Sequence, residues 1–337
     1  MSFRVRPARL DDFDAIFDMA KLTGGGFTNL PADRDTLVEK LERSERCFSR
    51  TGEEQQADLY MFVLEDPKQG LIRGTCQVFG QVGVVQPFYS YQLSTLTQTS
   101  PELGKTFRNQ MLSLTTDLEG LSEVGGLFLH PDSRSGGLGS LLARSRYLFI
   151  RQHRARFGGC TLAELRGVMD ADGNSPFWDA LAGRFFDMTF PEADQFNAMH
   201  GTRFIADLMP RTPIYVALLG DAARAVLGQP HPSGRGALRM LEEEGFEFDR
   251  YVDIFDGGPT VTAATDDIRT VDEAAAETVS EIGEGGSEKR LVAHGRLADF
   301  AACFASVTPT AAGLRIDADT AELLGVEVGD ELLSVAR

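Results

Sequence analysis

The sequence predicts an α/β or α+β fold, with strands and helices interleaved before residue 256 and a small β unit at the C-terminal end. Three observations predict it. Apolar runs of strand length alternate with stretches whose apolar residues recur at helical spacing. A glycine-rich turn, Arg134-Ser-Gly-Gly-Leu-Gly-Ser140, joins the apolar run Leu127 to Leu129 to a helix carrying Leu138, Leu141, Leu142, Leu148 and Phe149. After residue 260 large apolar residues thin out, and the chain closes on an alternating segment around Gly329-Asp330.

The elements can be justified in order. "RPARLDDFDAIFDMAKLTGGG" reads as a helix, because Leu10, Phe13, Ile16, Phe17 and Ala20 line one face and Gly24 to Gly26 end it. "LYMFVLEDPKQGLIRGTCQVF" reads as a hairpin turning at Asp66 to Gly70. A further strand is expected over residues 160–168, "CTLAELRGV". In "NSPFWDALAGRFF" Ser175 is the expected N-cap, with Pro176 at the first helical position. "ALRMLEEEGFEFDRYVDIF" reads as a helix closed by Gly245 and followed by a strand. Residues 261–289, rich in Ala, Thr, Glu and Gly, read as a connector plus an exposed element. The expected division is therefore residues 1–256 as the main region and 257–337 as a linker with a small β domain.

Composition excludes several classes. At 337 residues the chain can bury a large core and hold more than one domain. Hydrophobic residues at 42% and charged residues at 25% are those of a soluble globular protein. No apolar run approaches the roughly 18 residues of a membrane span, and the N-terminus lacks the apolar stretch of a secretory signal. No membrane partner is expected. Cys47, Cys76, Cys160 and Cys303 are scattered without a CxxC pair, which reads as reduced thiols of a cytoplasmic protein. The five histidines, His130, His153, His200, His231 and His294, show no metal-ligand spacing, so no metal is expected. A formal charge of −17 argues against nucleic acid. An anionic small molecule would need a locally positive pocket.

The turn supplies such a pocket. A helix N-terminus offers unpaired N–H groups and a positive dipole end, and glycines let a ligand approach the backbone. Pyrophosphate is the natural guest, with Arg134 adding a charge-assisted contact. The spacing Arg134-x-x-Gly137-x-Gly139 differs from both the P-loop and the GxGxxG of dinucleotide folds. A glycine turn without a ligand would read the same way.

Arg-x-x-Gly-x-Gly between a strand and a helix resembles the coenzyme-A pyrophosphate loop of the GNAT acyltransferase superfamily. At finer grain, "TGGGFTNLPAD", "SEVGGLFLHPDSRSGGLGSLLARSRYLFI", "AELRGVMDADGNSPFWDAL", "LGQPHP" and "YVDIFDGGPT" resemble, in order, the bacterial arginine N-succinyltransferases. The resemblance implies a GNAT-like acyl-CoA N-acyltransferase core, with room for a duplicated GNAT-like half, plus a small C-terminal β-barrel-like domain. It implies succinyl transfer from succinyl-CoA to the α-amino group of L-arginine, with succinyl-CoA as co-substrate and no permanently bound cofactor. It also implies an oligomer, either of this chain or with a paralogous subunit. A subunit of a two-subunit arginine/ornithine succinyltransferase, another acyl-CoA-dependent amine N-acyltransferase, and a regulatory or partner subunit without turnover remain the alternatives.

The resemblance also carries residues. The family's acyl-CoA contact corresponds to Leu127, although a strand leucine also serves a core. Arg134, Gly137, Gly139 and Ser140 fall on the pyrophosphate loop. Its proton donor corresponds to His231, held between Pro230 and Pro232, where a plain proline turn would look the same. Period-two spacing puts Glu164 and Arg166 on one face, either to meet arginine or to pair with each other. His153 reads as lying on a solvated helix face, and His130 as a structural strand-end residue.

Overall fold

The computed structural model describes residues 3–23 and 29–337. Strand β1 (Arg4–Pro7) leads into helices α1 (Phe13–Lys21) and α2 (Arg34–Ser49), then the hairpin β2 (Leu59–Asp66) and β3 (Leu71–Phe79). A long hairpin, β4 (Ser90–Ser100) and β5 (Lys105–Thr115), precedes β6 (Ser122–Leu129), α3 (Leu138–Gln152) and β7 (Cys160–Glu164). Short elements follow: α4 (Pro176–Ala180), α5 (Gly183–Phe186), α6 (Phe190–His200), α7 (Arg203–Leu208), β8 (Ile214–Tyr215) and α8 (Asp221–Val226). Then come α9 (Arg235–Glu243), β9 (Glu247–Val252), β10 (Pro259–Ala264) and α10 (Arg269–Glu273). The remainder is β11 (Ala275–Gly283), β12 (Glu288–His294), β13 (Ala301–Thr310), β14 (Gly313–Asp317), α11 (Ala318–Leu324) and β15 (Glu331–Ala336).

The first ten strands form a sheet in the order β1-β2-β3-β6-β7-β10-β9-β4-β5-β8. Within it β6 and β7 are the parallel pair, and the other neighbours run antiparallel. The last five strands close on themselves as β12-β15-β11-β14-β13, because β13 also pairs with β12. This barrel joins the sheet through β13 and β1, at Val5 and Ala302. The α/β core with a small β barrel is thus the expected architecture.

Several local expectations hold for their expected reasons. The Asp66 carboxylate accepts from Lys68 N–H at 3.1 Å and shapes the β2–β3 turn. Ser175 caps α4 by accepting from Trp178 N–H at 3.1 Å. Gly245, at φ +95°, ends α9. Others differ. Leu10 sits in a 3-10 turn ahead of α1 and is exposed, while Ile16, Met19 and Ala20 make the buried face. Gly24 to Gly26 lie outside the described residues, as does the side chain of His200. The strand expected over 160–168 stops at Glu164.

The reading of residues 261–289 as connector and exposed element is corrected. Strand β10 is hydrogen-bonded between β7 and β9, with Val261 1% exposed, so the first sheet continues past the expected boundary at 256/257. Small β-branched and alanine side chains suit an interior strand flanked by tight partners, which is why the segment lacks large apolar residues. The chain crosses into the barrel only at β11.

Helix α3 shows how closely the two parts fit. Its residues from Leu141 to Ile150 are all buried, because the sheet covers one side and the barrel another. Phe149 packs against Tyr60 and Phe62 of the sheet and against Phe300 at the barrel edge, with ring centroids 4.8, 5.1 and 5.3 Å away. Arg144 is buried on this helix, so it must be paired. Its Nε lies 3.0 Å from Glu244 and donates to Thr270 Oγ1 at 2.9 Å.

His153, expected on a solvated face, is 1% exposed at the end of α3. Leu297 N–H donates to its Nε2 at 3.3 Å, and Arg296 stands 3.2 Å from Nδ1. Burial first, then Arg296 and Arg156, push its pKa down to about 3. The unfolded chain therefore binds a proton between about pH 6.5 and 3 that the folded chain refuses. The associated stability is complete above pH 6.5 and is lost as pH falls. At pH 5 the loss should be about 2 kcal/mol. We expect His153→Gln to reduce, by about that amount, the stability difference between pH 7 and pH 5 in urea unfolding. An unchanged pH dependence would remove His153 as its source.

Candidate active site

The site begins with a break in the sheet. Strands β6 and β7 pair only at Ser122 with Thr161 and Glu123 with Leu162, then part. The cause lies on the other edge of β6. Gln77 of β3 faces Gly125 and Thr75 faces Phe128, so Gly126 and Leu127 together oppose one residue and form a bulge. Gly126 has φ +58°, and a Cβ there would lie 2.8 Å from the Gln77 side chain. Only glycine fits. The bulge bends β6 away from β7, and Leu127 lines the cleft with its main chain outside the β6–β7 ladder.

At the end of β6, Pro131–Ser133 makes a single 3-10 turn, and α3 starts from Gly137 in the left-handed region, φ +81°. Gly136, at φ +65°, precedes it. Gly139 and Ser140 belong to the first turn of α3, where N–H groups have no partner within the helix. Arg134 is exposed beside them and donates to Leu129 O at 3.3 Å. The expected pyrophosphate turn therefore has open backbone and a free-standing cation.

Leu127, Arg134, Glu164, Arg166 and His231 all line one cavity of about 430 Å³. Gly137, Gly139 and Ser140 lie just beyond its Arg134 end, on the turn itself. Three acidic residues that sequence reasoning did not single out share this cavity, Asp194, Asp253 and Asp256. Arg146, also missed, enters it from α3. The spacing Asp253-x-x-Asp256-Gly-Gly directly after a strand was the available signal, since paired carboxylates at a glycine turn organise a loop.

The carboxylates have unequal duties. Asp253 accepts from the N–H groups of Phe255 and Asp256 at 2.7 and 2.8 Å. Asp256 accepts from Gly167 N–H at 2.7 Å and Gly258 N–H at 2.8 Å, tying its loop to the end of β7. Among the described residues Glu164 has only the Thr260 hydroxyl, at 3.5 Å. Burial, then Asp253, Glu123 and Asp256, hold the Glu164 carboxyl well above the usual carboxylate range. A cation arriving there would relieve that repulsion. Arg166 brings a buried Nε with no hydrogen-bond partner among the described residues, in the same cavity.

His231 is fixed from its backbone. Its N–H donates to Arg166 O at 2.7 Å, and Pro230 bridges to Gly167, so the loop is clamped to the continuation of β7. Ser233 N–H donates to Nδ1 at 3.2 Å, which leaves the proton of the neutral ring on Nε2. Partial burial, then Arg166, lower its pKa below the ordinary histidine value. The other described histidines serve structure. His130 Nδ1 accepts from Asp132 N–H at 3.3 Å, and His294 Nδ1 lies 3.0 Å from Glu331 O in the barrel.

The cavity thus joins a cationic, backbone-rich wall on β6 and α3 to an acidic wall on β7 and the 253–258 loop, with a histidine between. Comparison with known proteins bears on the chain as a whole. The family model described as arginine N-succinyltransferase beta subunit matches residues 3–270, and the one for its C-terminal domain matches 273–336. The chain is 39% identical to the arginine N-succinyltransferase subunit beta of Pseudomonas aeruginosa, over 98% of this chain and 97% of that one. It is 38% identical to an arginine N-succinyltransferase of Escherichia coli, covering 97% and 96%. The solved arginine/ornithine succinyltransferase subunit AI from Pseudomonas aeruginosa superposes with a TM-score of 0.91 at 33% identity, covering 99% and 98%. Shared over its whole length and in both of its parts, this likeness settles kinship: the chain belongs to the arginine N-succinyltransferase family.

Proposed function

We propose that this chain transfers the succinyl group of succinyl-CoA to the α-amino group of L-arginine. The carrying observation is one cavity whose two walls have opposite charge, suited to an anionic acyl donor on one side and a cationic amine on the other. Family membership supports the same reaction. With the donor pyrophosphate at residues 134–140, the thioester would reach the opening beside Leu127. The arginine guanidinium would meet Glu164, and its carboxylate the unpaired Nε of Arg166.

The amine nitrogen attacks the thioester carbon, forming the C–N bond directly. The C–S bond then breaks, the sulfur leaves with the electron pair, and one proton passes from nitrogen to sulfur. Orientation of two substrates in one cleft supplies most of the effect. His231 presents Nε2–H to the departing sulfur. The acyl donor is a co-substrate and not a resident cofactor.

The relatives' names, subunit beta and arginine/ornithine succinyltransferase subunit AI, support a multi-subunit assembly and a second amino acid as substrate. Ornithine offers the same amine and carboxylate with a shorter cation, so Glu164 would reach it less well. None of the described helices is long and apolar enough to cross a membrane, and all four cysteines are free. The free thiols support a cytoplasmic enzyme.

Two substitutions test the assignment. His231→Ala should lower kcat by about 10²–10⁴-fold with melting temperature preserved, as expected for removal of a positioned proton donor. A near-normal kcat would remove His231 from the mechanism. Glu164→Gln should raise KM for arginine by tenfold or more, leaving KM for succinyl-CoA unchanged. The same change should stabilise the substrate-free protein at pH 7. A carboxyl with a raised folded pKa loses stability as pH rises past its unfolded value, and glutamine does not. Equal stability of Glu164→Gln and the parent at pH 7 would contradict the electrostatic account of this wall.

A further inference from the structure

A second cavity, of about 510 Å³, lies between the start of α3 and the barrel, lined by Gly136, Leu138, Lys289, Phe304, Ser306 and Arg337 among others. Arg337 follows β15 and reaches back across the domain junction. Its Nη2 donates to Gly136 O at 2.8 Å, and its guanidinium lies 4.4 Å from the Phe304 ring centroid. The same Nη2 stands 2.6 Å from the point where a Cβ on Gly137 would be. The Arg337 backbone N–H bonds to Lys289 O at 3.3 Å, and the Lys289 amine bonds to the Ser306 hydroxyl. Both cations thus rest on neutral partners. The acids of this cavity bond to other groups: Asp317 accepts from the Ser306 and Thr320 N–H groups, and Asp319 lies 3.7 Å from Lys68. Among the described residues neither forms an ion pair with Arg337, whose guanidinium rests on the Gly136 carbonyl beside the turn.

We infer that Arg337 binds the pyrophosphate of the acyl donor, so that the C-terminal barrel supplies part of the coenzyme-A site. The inference rests on the succinyl-CoA reading above and assigns a residue to it from outside the acyltransferase sheet. A guanidinium fork matches phosphate oxygens, and a phosphate outcompetes a single neutral carbonyl for it. Phe304 holds the guanidinium plane in place beneath Gly136 and Gly137, the two glycines that open the turn. Arg134 would close on the phosphates from the other side of the same turn. In a chain of net charge −17, an anion is drawn only where such cations gather.

The test uses the full chain with Arg337→Ala and Arg337→Lys. Arg337→Ala should raise KM for succinyl-CoA by about tenfold, as for loss of a charge-assisted hydrogen bond. KM for arginine, kcat at saturating succinyl-CoA and the melting temperature should hold, with Arg337→Lys intermediate. Calorimetric titration should show the Kd for coenzyme A and for 3′-dephospho-coenzyme A rising by the same factor, since both carry the pyrophosphate. An increase confined to coenzyme A would place Arg337 on the 3′-phosphate and overturn the assignment. Unchanged affinity for both, or a loss accompanied by a lower melting temperature and a raised KM for arginine, would overturn it as well. A parent chain that bound neither compound would remove the succinyl-CoA reading together with the inference, whereas a parent that binds both and a variant that binds them equally well removes the inference alone.

Discussion

The site depends on one backbone constraint, the left-handed conformation of Gly126. At φ +58°, with Gln77 filling the space a side chain would need, β6 takes up two residues where β3 takes one. The strand bends, and its parallel pairing with β7 ends after Glu123. Everything on the two walls is then carried by different edges of the opening. Leu127 and the turn that starts α3 move with β6. Glu164, Arg166, the His231 loop and the 253–258 loop move with β7, because His231 N–H donates to Arg166 O and the Asp256 carboxylate accepts from Gly167 N–H, both just beyond that strand. A shift in the bulge would change the distance between donor wall and acceptor wall without altering either.

The electrostatics of the two walls follow from what each must leave unsatisfied. Asp253 and Asp256 are saturated by backbone N–H groups, so they hold the loop and project field without offering much binding capacity. That field falls on Glu164, whose one weak partner leaves it available. Such a carboxyl is a liability in the empty protein and an asset when a cation is present, which is the usual exchange of stability for function at a binding site. The donor wall uses the reverse device. Its cations, Arg134 and Arg337, bond to the carbonyls of Leu129 and Gly136, beside a helix start whose dipole favours an anion.

The extent to which this was legible in the sequence varies with the range of the interactions. Ser175, Asp66 and Gly245 act within a few residues, so their turns and caps could be read directly. The turn Arg134–Ser140 and the spacing of Glu164 and Arg166 were legible for the same reason, as motifs of seven or fewer residues. Residues 261–289 were not. A strand of Thr, Val and Ala is indistinguishable from a connector until β7 and β9 cover it on both edges. His153 looked solvated because the surface that buries it comes from Arg296 and Leu297, more than a hundred residues on. The acidic residues at 253 and 256 were visible within a quoted motif, yet their place opposite Glu164 exists only once β10 lies beside β7.

The barrel's position resolves why the last part of the chain is needed beside a complete acyltransferase sheet. Helix α3 buries apolar residues and two arginines, Arg144 and Arg146, on nearly every face, which no single sheet could cover. Glu244 neutralises Arg144, Thr270 accepts a hydrogen bond from it, and Phe300 closes over Phe149, so the helix that starts at the glycine turn is anchored from three directions. Charge at a helix start is effective only if the helix cannot recede from it when an anion binds or leaves. Packing the barrel against α3 removes that freedom, and Arg337 lies on the side from which the packing comes. Rigidity of this turn and the guanidinium beside it therefore both come from the contact between the two parts of the chain.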